Sequence, residues 1–170
     1  MMWHDQSALT DLLDEAQLDH SFYLPLLTIQ SLTKGLEGLN PTFSVDLLHL
    51  GNVTRNDHQF FSRQVALKLQ DMPVIVAESL CESESAFWQD YLNCGTSSLG
   101  RRLFNGENPI ERSIFHYALM KGSDLPAFAT SYCEPNARII ARRSIFQKEK
   151  EALSLIEYYL PALLHFAKVT

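Results

Sequence analysis

The chain is poor in the residues that announce the common chemistries. It has three cysteines, Cys81, Cys94 and Cys133, among 170 residues. An odd number, widely spaced and with no C-x-x-C, argues against a disulfide framework and against a structural zinc site. Six histidines, His4, His20, His49, His58, His116 and His165, are scattered with no H-x-x-x-H pair, so no metal site is expected. Neither G-x-x-x-x-G-K-[ST] nor G-x-G-x-x-G occurs, and no nucleotide or other cofactor is implied. Gly95-Thr96-Ser97-Ser98 lacks the G-x-S-x-G form of a nucleophile elbow, which leaves Ser97 as a turn residue.

Basic residues are scarce at the front. Residues 1–60 hold two Lys/Arg against eight Asp/Glu, whereas residues 61–170 hold twelve of each, for a net charge of −6. An acidic front excludes a nucleic-acid surface there. The stretch 101–143 reverses the bias, with Arg101, Arg102, Arg112, Lys121, Arg138, Arg142 and Arg143 against four acids. Solvated arginines or a site for a small anion would both account for it. Met1-Met2-Trp3-His4-Asp5-Gln6 has no basic segment followed by an apolar core, and no apolar run approaches the ~20 residues of a membrane span. The expected location is cytoplasmic. A hydrophobic content of 46% suits one domain, residues 1–170; a monomer is expected, though composition does not fix the oligomeric state.

What is present is a set of short alternating segments. Ser7–Gln17 reads as an amphipathic helix with Ser7 as its cap, and a second helical stretch opens at Pro25 and ends at Gly35 and Gly38. Phe43, Val45 and Leu47 alternate with polar residues, as a half-buried strand does. Strands follow at about 60–70 and 73–80 around a turn at Asp71-Met72. Residues 84–92 read as a helix, 113–119 as a strand, and 122–136 as an irregular connection. A last pair, about 138–147 and 152–160, flanks the charged turn Lys148-Glu149-Lys150-Glu151. Together these predict an α+β fold: a single antiparallel sheet with helices packed on one side.

Two charges fall in phase with the apolar face of strands. Arg63 shares parity with Phe61, Val65, Leu67 and Leu69, and Glu157 with Leu153, Leu155 and Tyr159. Alternate side chains share a face, so both point toward the core, where a charge needs a partner. They are either a salt bridge with each other or the two poles of a pocket for a small anion.

Four blocks then appear in order: Ser31-Leu32-Thr33-Lys34; Arg63 with Pro73 ten residues later; Leu99-Gly100-Arg101-Arg102-Leu103-Phe104; and Arg142-Arg143-Ser144 followed by Glu157 and Leu160-Pro161. Their order and spacing over 24–161 resemble the chorismate pyruvate-lyase family, bacterial enzymes that make 4-hydroxybenzoate for ubiquinone. Departures are Leu32 where the family has Met, a first hairpin turn without Gly, an unusually charged last turn, and an acidic extension, residues 1–23, with no counterpart. The resemblance implies that the helices cover an internal ligand pocket, that Arg63 holds the ring carboxylate there, helped by backbone amides at Leu32 and Leu99, and that Glu157 meets the 4-hydroxyl. A second arginine would hold the enolpyruvyl carboxylate. Arg143, on the parity of Ile139, Ala141 and Ile145, is favoured over Arg142. The implied partners are chorismate and 4-hydroxybenzoate, with no cofactor. The alternative is a non-catalytic aromatic-carboxylate-binding domain akin to the effector domains of regulators, although residues 1–60 are too acidic for a DNA-binding region.

Overall fold

The computed structural model describes residues 2–97, 99, 103 and 110–167. Three helices come first: α1 (Leu9–Ala16), α2 (His20–Thr28) and α3 (Leu32–Leu39). Three long strands follow, β1 (Phe43–Arg55), β2 (His58–Leu69) and β3 (Met72–Glu82), and then α4 (Ala86–Leu92). The remaining strands are β4 (Glu111–Arg112), β5 (His116–Lys121), β6 (Arg138–Lys148) and β7 (Glu151–Tyr159). They form one sheet in the order β1-β2-β3-β7-β6-β4, with β5 also on β6, and the pairings are antiparallel. The α+β class with a single antiparallel sheet is the one the sequence predicts.

Turn chemistry sets the register. Asn56 and Asp57 have φ of 52° and 62°, and Gln70 and Asp71 have 49° and 61°. Left-handed backbone at both central residues matches the twist of the flanking strands, so each pair closes a tight hairpin. The second turn lies one residue before the expected Asp71-Met72. The first was not anticipated, and neither was the extension of β1 past Leu47. A register shift between Leu47 and His49 breaks the alternation that would have revealed it.

The helices bury one face of the sheet. Leu9, Leu12 and Leu13 of α1, Tyr23, Leu26 and Leu27 of α2, and Leu32 and Leu36 of α3 pack with Leu69, Ile75, Tyr117, Ile140 and Tyr159. Trp88, Tyr91 and Leu92 of α4 pack with Cys81, Phe146 and Leu153. Thus α1, inside the stretch expected to be an extension, belongs to the core. Its approach is capped by Asp5, which accepts from the Ser7 amide at 2.9 Å, not by Ser7. The expected single helix from Pro25 is two: α2 begins five residues earlier, and the chain turns at Ile29–Ser31 before Ser31 caps α3. Gly35 lies within α3, where a β-carbon would come within 3.2 Å of Leu26, so its smallness serves the α2–α3 contact.

The opposite face is also covered over the centre of the sheet. Leu125 and Ala129, from the connection after β5, pack with Phe128, Trp3, Ala66, Val76, Ile139, Ala141 and Tyr158.

Candidate active site

The site is a hollow between the helices and the sheet, floored by two cross-strand rows. In one, Arg63 lies opposite Ser79, Ser79 opposite Leu155, and Leu155 opposite Ser144. In the other, Val65 lies opposite Ala77, Ala77 opposite Glu157, and Glu157 opposite Arg142. Facing residues of paired strands share a side of the sheet. Ala77, Ser79 and Ser144 are small, so the middle of the floor is low while its ends carry long charged side chains. Leu32 and Thr33 of α3, with Leu99, Leu103 and Phe115, complete the walls. The empty space among these side chains, counting the open mouth, is about 590 Å³.

Arg63 forms one end. It is 3% exposed, and its Nη2 donates to the carbonyls of Ser97 at 3.0 Å and Gly95 at 3.2 Å. Its Nε has no hydrogen-bond partner, and among the described residues it forms no salt bridge with a carboxylate. Burial pulls its pKa below the ordinary arginine value, as desolvation of a cation does. The Arg63–Glu157 salt bridge left open by the sequence does not form. The strands that carry these two residues are separated by β3, about 10 Å across the sheet.

Glu157, 6% exposed, is paired with Arg142, whose Nε donates to Oε1 at 2.8 Å. Arg142 is 1% exposed, and its Nη1 donates to the carbonyls of Ile29 at 2.6 Å and Leu27 at 3.3 Å. The phenols of Tyr117 and Tyr159 donate to the carbonyls of Leu27 at 2.7 Å and Leu26 at 2.9 Å. The last carbonyls of a helix lack intrahelical donors and favour a nearby cation, so Arg142 and the two tyrosines satisfy the end of α2. Burial works against the Arg142 charge, but Glu157, with Tyr159 and Tyr117, holds its pKa above the ordinary value. Desolvation pushes Tyr117 up to about 12, which keeps its phenol a donor.

Arg143, favoured from parity, is on the other face of the sheet. Its guanidinium lies 4.6 Å from the centre of the Trp3 ring, a cation–π contact, and it does not line the hollow. Parity misled because both faces of β6 are buried: Ile139 and Ala141 pack under the 125–133 connection, whereas Ile140, Phe146 and Arg142 face the helices. An apolar alternation cannot choose between two covered faces.

The hollow also contains Arg112 and Phe115, which the sequence did not single out. Arg112 pairs in register with Phe146 and His116 with Arg143, so the 112–116 segment has one residue more than its partner. Such a bulge re-aims side chains, and here Phe115 joins Arg112 at the hollow. The Phe115 ring centre is 4.3 Å from the Arg112 guanidinium and 4.1 Å from that of Arg142. Membership of Arg112 in the basic stretch was the one available signal. Leu32 and Leu99, 4% and 6% exposed, both line the hollow. Gly100, Arg101, Arg102 and Phe104 of the third block lie outside the described residues. Among the described residues, no three His, Cys, Asp or Glu side chains are grouped to hold a metal, and no helix is long and apolar enough to cross a membrane.

The chain is similar to several known proteins. A family model described as chorismate lyase matches residues 16–169. A probable chorismate pyruvate-lyase of Ralstonia nicotianae is 28% identical over 158 residues, covering 81% of this chain and 80% of that protein. One of Nitrosomonas eutropha is 30% identical over 128 residues, 72% of this chain and 70% of that protein. Among solved structures, PhnF from Mycobacterium smegmatis superposes with a TM-score of 0.54 at 8% identity, over 95% of this chain and 89% of that one. At that identity the likeness is one of fold.

Proposed function

The chain belongs to the chorismate lyase family, and from that premise we propose that it converts chorismate into 4-hydroxybenzoate and pyruvate, the aromatic acid then serving ubiquinone synthesis. The observation that supports this reading most directly is Arg63: a buried guanidinium with no carboxylate partner among the described residues, facing a hollow whose other end holds a carboxylate. A carboxylate at one end of a ring and a hydroxyl at the other would satisfy both.

Arg63 would anchor the ring carboxylate by a charge-assisted contact. The backbone amides of Leu32 and Leu99, at the walls, would supply further donors to the same group. Glu157, held in orientation by Arg142, would accept from the C4 hydroxyl. In the reaction the C3–O ether bond breaks, its electron pair leaves with the enolpyruvyl oxygen, and the C4 hydrogen passes to the enolpyruvyl methylene. The ring becomes aromatic, and the side chain leaves as pyruvate. Substrate supplies every reacting atom, so the protein's task is to hold a conformer with the side chain folded near C4. Positioning of this kind lowers a barrier by at most about 7–11 kcal/mol.

The deciding experiment mixes purified protein with chorismate and follows 4-hydroxybenzoate absorbance and pyruvate together. Equimolar appearance of both is expected. Tight binding of 4-hydroxybenzoate without turnover would instead support a non-catalytic aromatic-carboxylate carrier.

A second measurement tests the orientation. 4-Hydroxybenzoate is expected to raise the melting temperature more than benzoate at equal concentration, because benzoate leaves Glu157 without its hydroxyl partner. An unmade buried hydrogen bond costs about 1–3 kcal/mol, and the tighter ligand stabilises more by mass action. Glu157→Gln should shrink the difference. Equal protection by both ligands would show that Glu157 does not read the hydroxyl.

A further inference from the structure

The two charged ends of the hollow lie on a diagonal of its floor. Arg63 is on β2 in the row Arg63, Ser79, Leu155, Ser144, whereas Glu157 is on β7 in the row Val65, Ala77, Glu157, Arg142. A ring laid from one to the other has unlike neighbours along its two edges. On one side are Val65 and Ala77, and beyond them Val45 and Leu67, all apolar. On the other side are the hydroxyls of Ser79 and Ser144, with Leu155 between them. Both serines are 2% exposed, and among the described residues neither hydroxyl has a hydrogen-bond partner. A buried hydroxyl left unbonded carries a desolvation cost, which a ligand that bonds it removes.

Chorismate has a matching asymmetry. Its ring carboxylate and C4 hydroxyl occupy the two ends, but the enolpyruvyl ether is on C3, next to C4, and so on one edge only. That side chain carries an ionised carboxylate and an ether oxygen, which are costly to bury against an apolar wall. It therefore lies on the serine side. Of the two serines, Ser144 is at the correct end. It pairs with Leu155 on β7, which makes it a diagonal neighbour of Glu157, about 7–8 Å away along the backbone. Ser79 faces Arg63 instead, two strand spacings, about 10 Å, from Ser144. Arg142 and Ser144 are thus successive inward residues of β6: one aims the carboxylate that meets the C4 hydroxyl, and the other stands where the neighbouring ether falls.

We infer that Ser144 is a catalytic residue whose hydroxyl donates to the ether oxygen of the enolpyruvyl group. This rests on the reading of the hollow as a chorismate site. As the C3–O bond breaks, its electron pair stays with that oxygen and becomes the second bond of the pyruvate carbonyl. The enol double bond takes up the C4 hydrogen, and the C4–H pair becomes the C3–C4 double bond of the aromatic ring. Negative charge builds on the oxygen while the C3–O bond stretches, so the Ser144 contact is stronger in the transition state than in the bound substrate. The oxygen then departs with pyruvate, and 4-hydroxybenzoate retains no atom that Ser144 reads.

The test compares Ser144→Ala and Ser144→Thr with the unmutated protein in single-turnover assays, which report the chemical step apart from product release. In Ser144→Ala the rate is expected to fall about 100-fold, the low end for losing one donor to a developing oxyanion, with a much smaller change in KM. Ser144→Thr keeps the hydroxyl and should recover most of the rate. The Kd of Ser144→Ala for 4-hydroxybenzoate, by calorimetry, should change by less than about twofold, because the lost contact is absent from that ligand. A single-turnover rate in Ser144→Ala within about threefold of the unmutated protein would overturn the assignment, since a lost transition-state contact must appear in that step. An equal loss of 4-hydroxybenzoate affinity would also overturn it, by making Ser144 part of the ring site. If the unmutated protein does not consume chorismate, the functional reading itself is overturned and the role of Ser144 with it.

Discussion

Arg63→Ala is expected to lower kcat/KM for chorismate by roughly thirty-fold to several thousand-fold while the protein still folds. The range follows from the cost of removing one partner of a buried charged contact, about 2–5 kcal/mol, at 1.4 kcal/mol per tenfold. The fold should survive because Arg63 contacts backbone carbonyls at Gly95 and Ser97 and has no carboxylate partner among the described residues. No buried anion is stranded by its loss. The measurement is steady-state kinetics alongside a thermal melt. Near-normal kinetics in a folded variant would remove Arg63 from the site. A variant that melts before it can be assayed would make Arg63 a structural arginine.

Arg142→Met should do the opposite, destabilising first. Removing one member of a buried pair leaves an uncompensated charge, at a cost of about 3–5 kcal/mol. For a chain of this size each kcal/mol moves the melting temperature by about 2–4 °C, so a drop of roughly 6–20 °C is expected. The double variant Arg142→Met/Glu157→Leu should recover the larger share of that drop, since an apolar pair of similar volume can replace a buried ion pair. The remainder would reflect the Ile29 carbonyl, which loses its donor. Activity should stay absent in the double variant because Glu157 is gone. If Arg142→Met melted with the unmutated protein, the Arg142–Glu157 pair would not be the element that holds this end of the site.

The two ends of the site differ in how well the sequence shows them. Arg63 was legible because β2 alternates cleanly: Val65, Leu67 and Leu69 face the helices, and Ser62, Gln64 and Lys68 face away. Glu157 was legible by the same logic on β7. What the pattern could not supply was the partner. Arg142 and Glu157 meet because β6 and β7 pair in a particular register, which the turn decides and the alternation does not. Because β6 is apolar on both faces, Arg143 was an even match to the pattern, and only the cover over each face separates the two. Arg112 and Phe115 depend on one extra residue in an edge segment, a feature with no period to detect. The fold class was readable from strand spacing. The second half of β1 and the break between α2 and α3 were not, because a register shift and a capping serine interrupt the patterns that define those elements.

The guanidinium of Arg142 touches three parts of the molecule at once: the carboxylate of Glu157, the end of α2, and the ring of Phe115. Were the segment around Ile29 to lift, Arg142 would lose two of its acceptors and with them the tether that aims its Nε at Glu157. The seating of that segment and the bearing of the carboxylate are therefore coupled through one guanidinium.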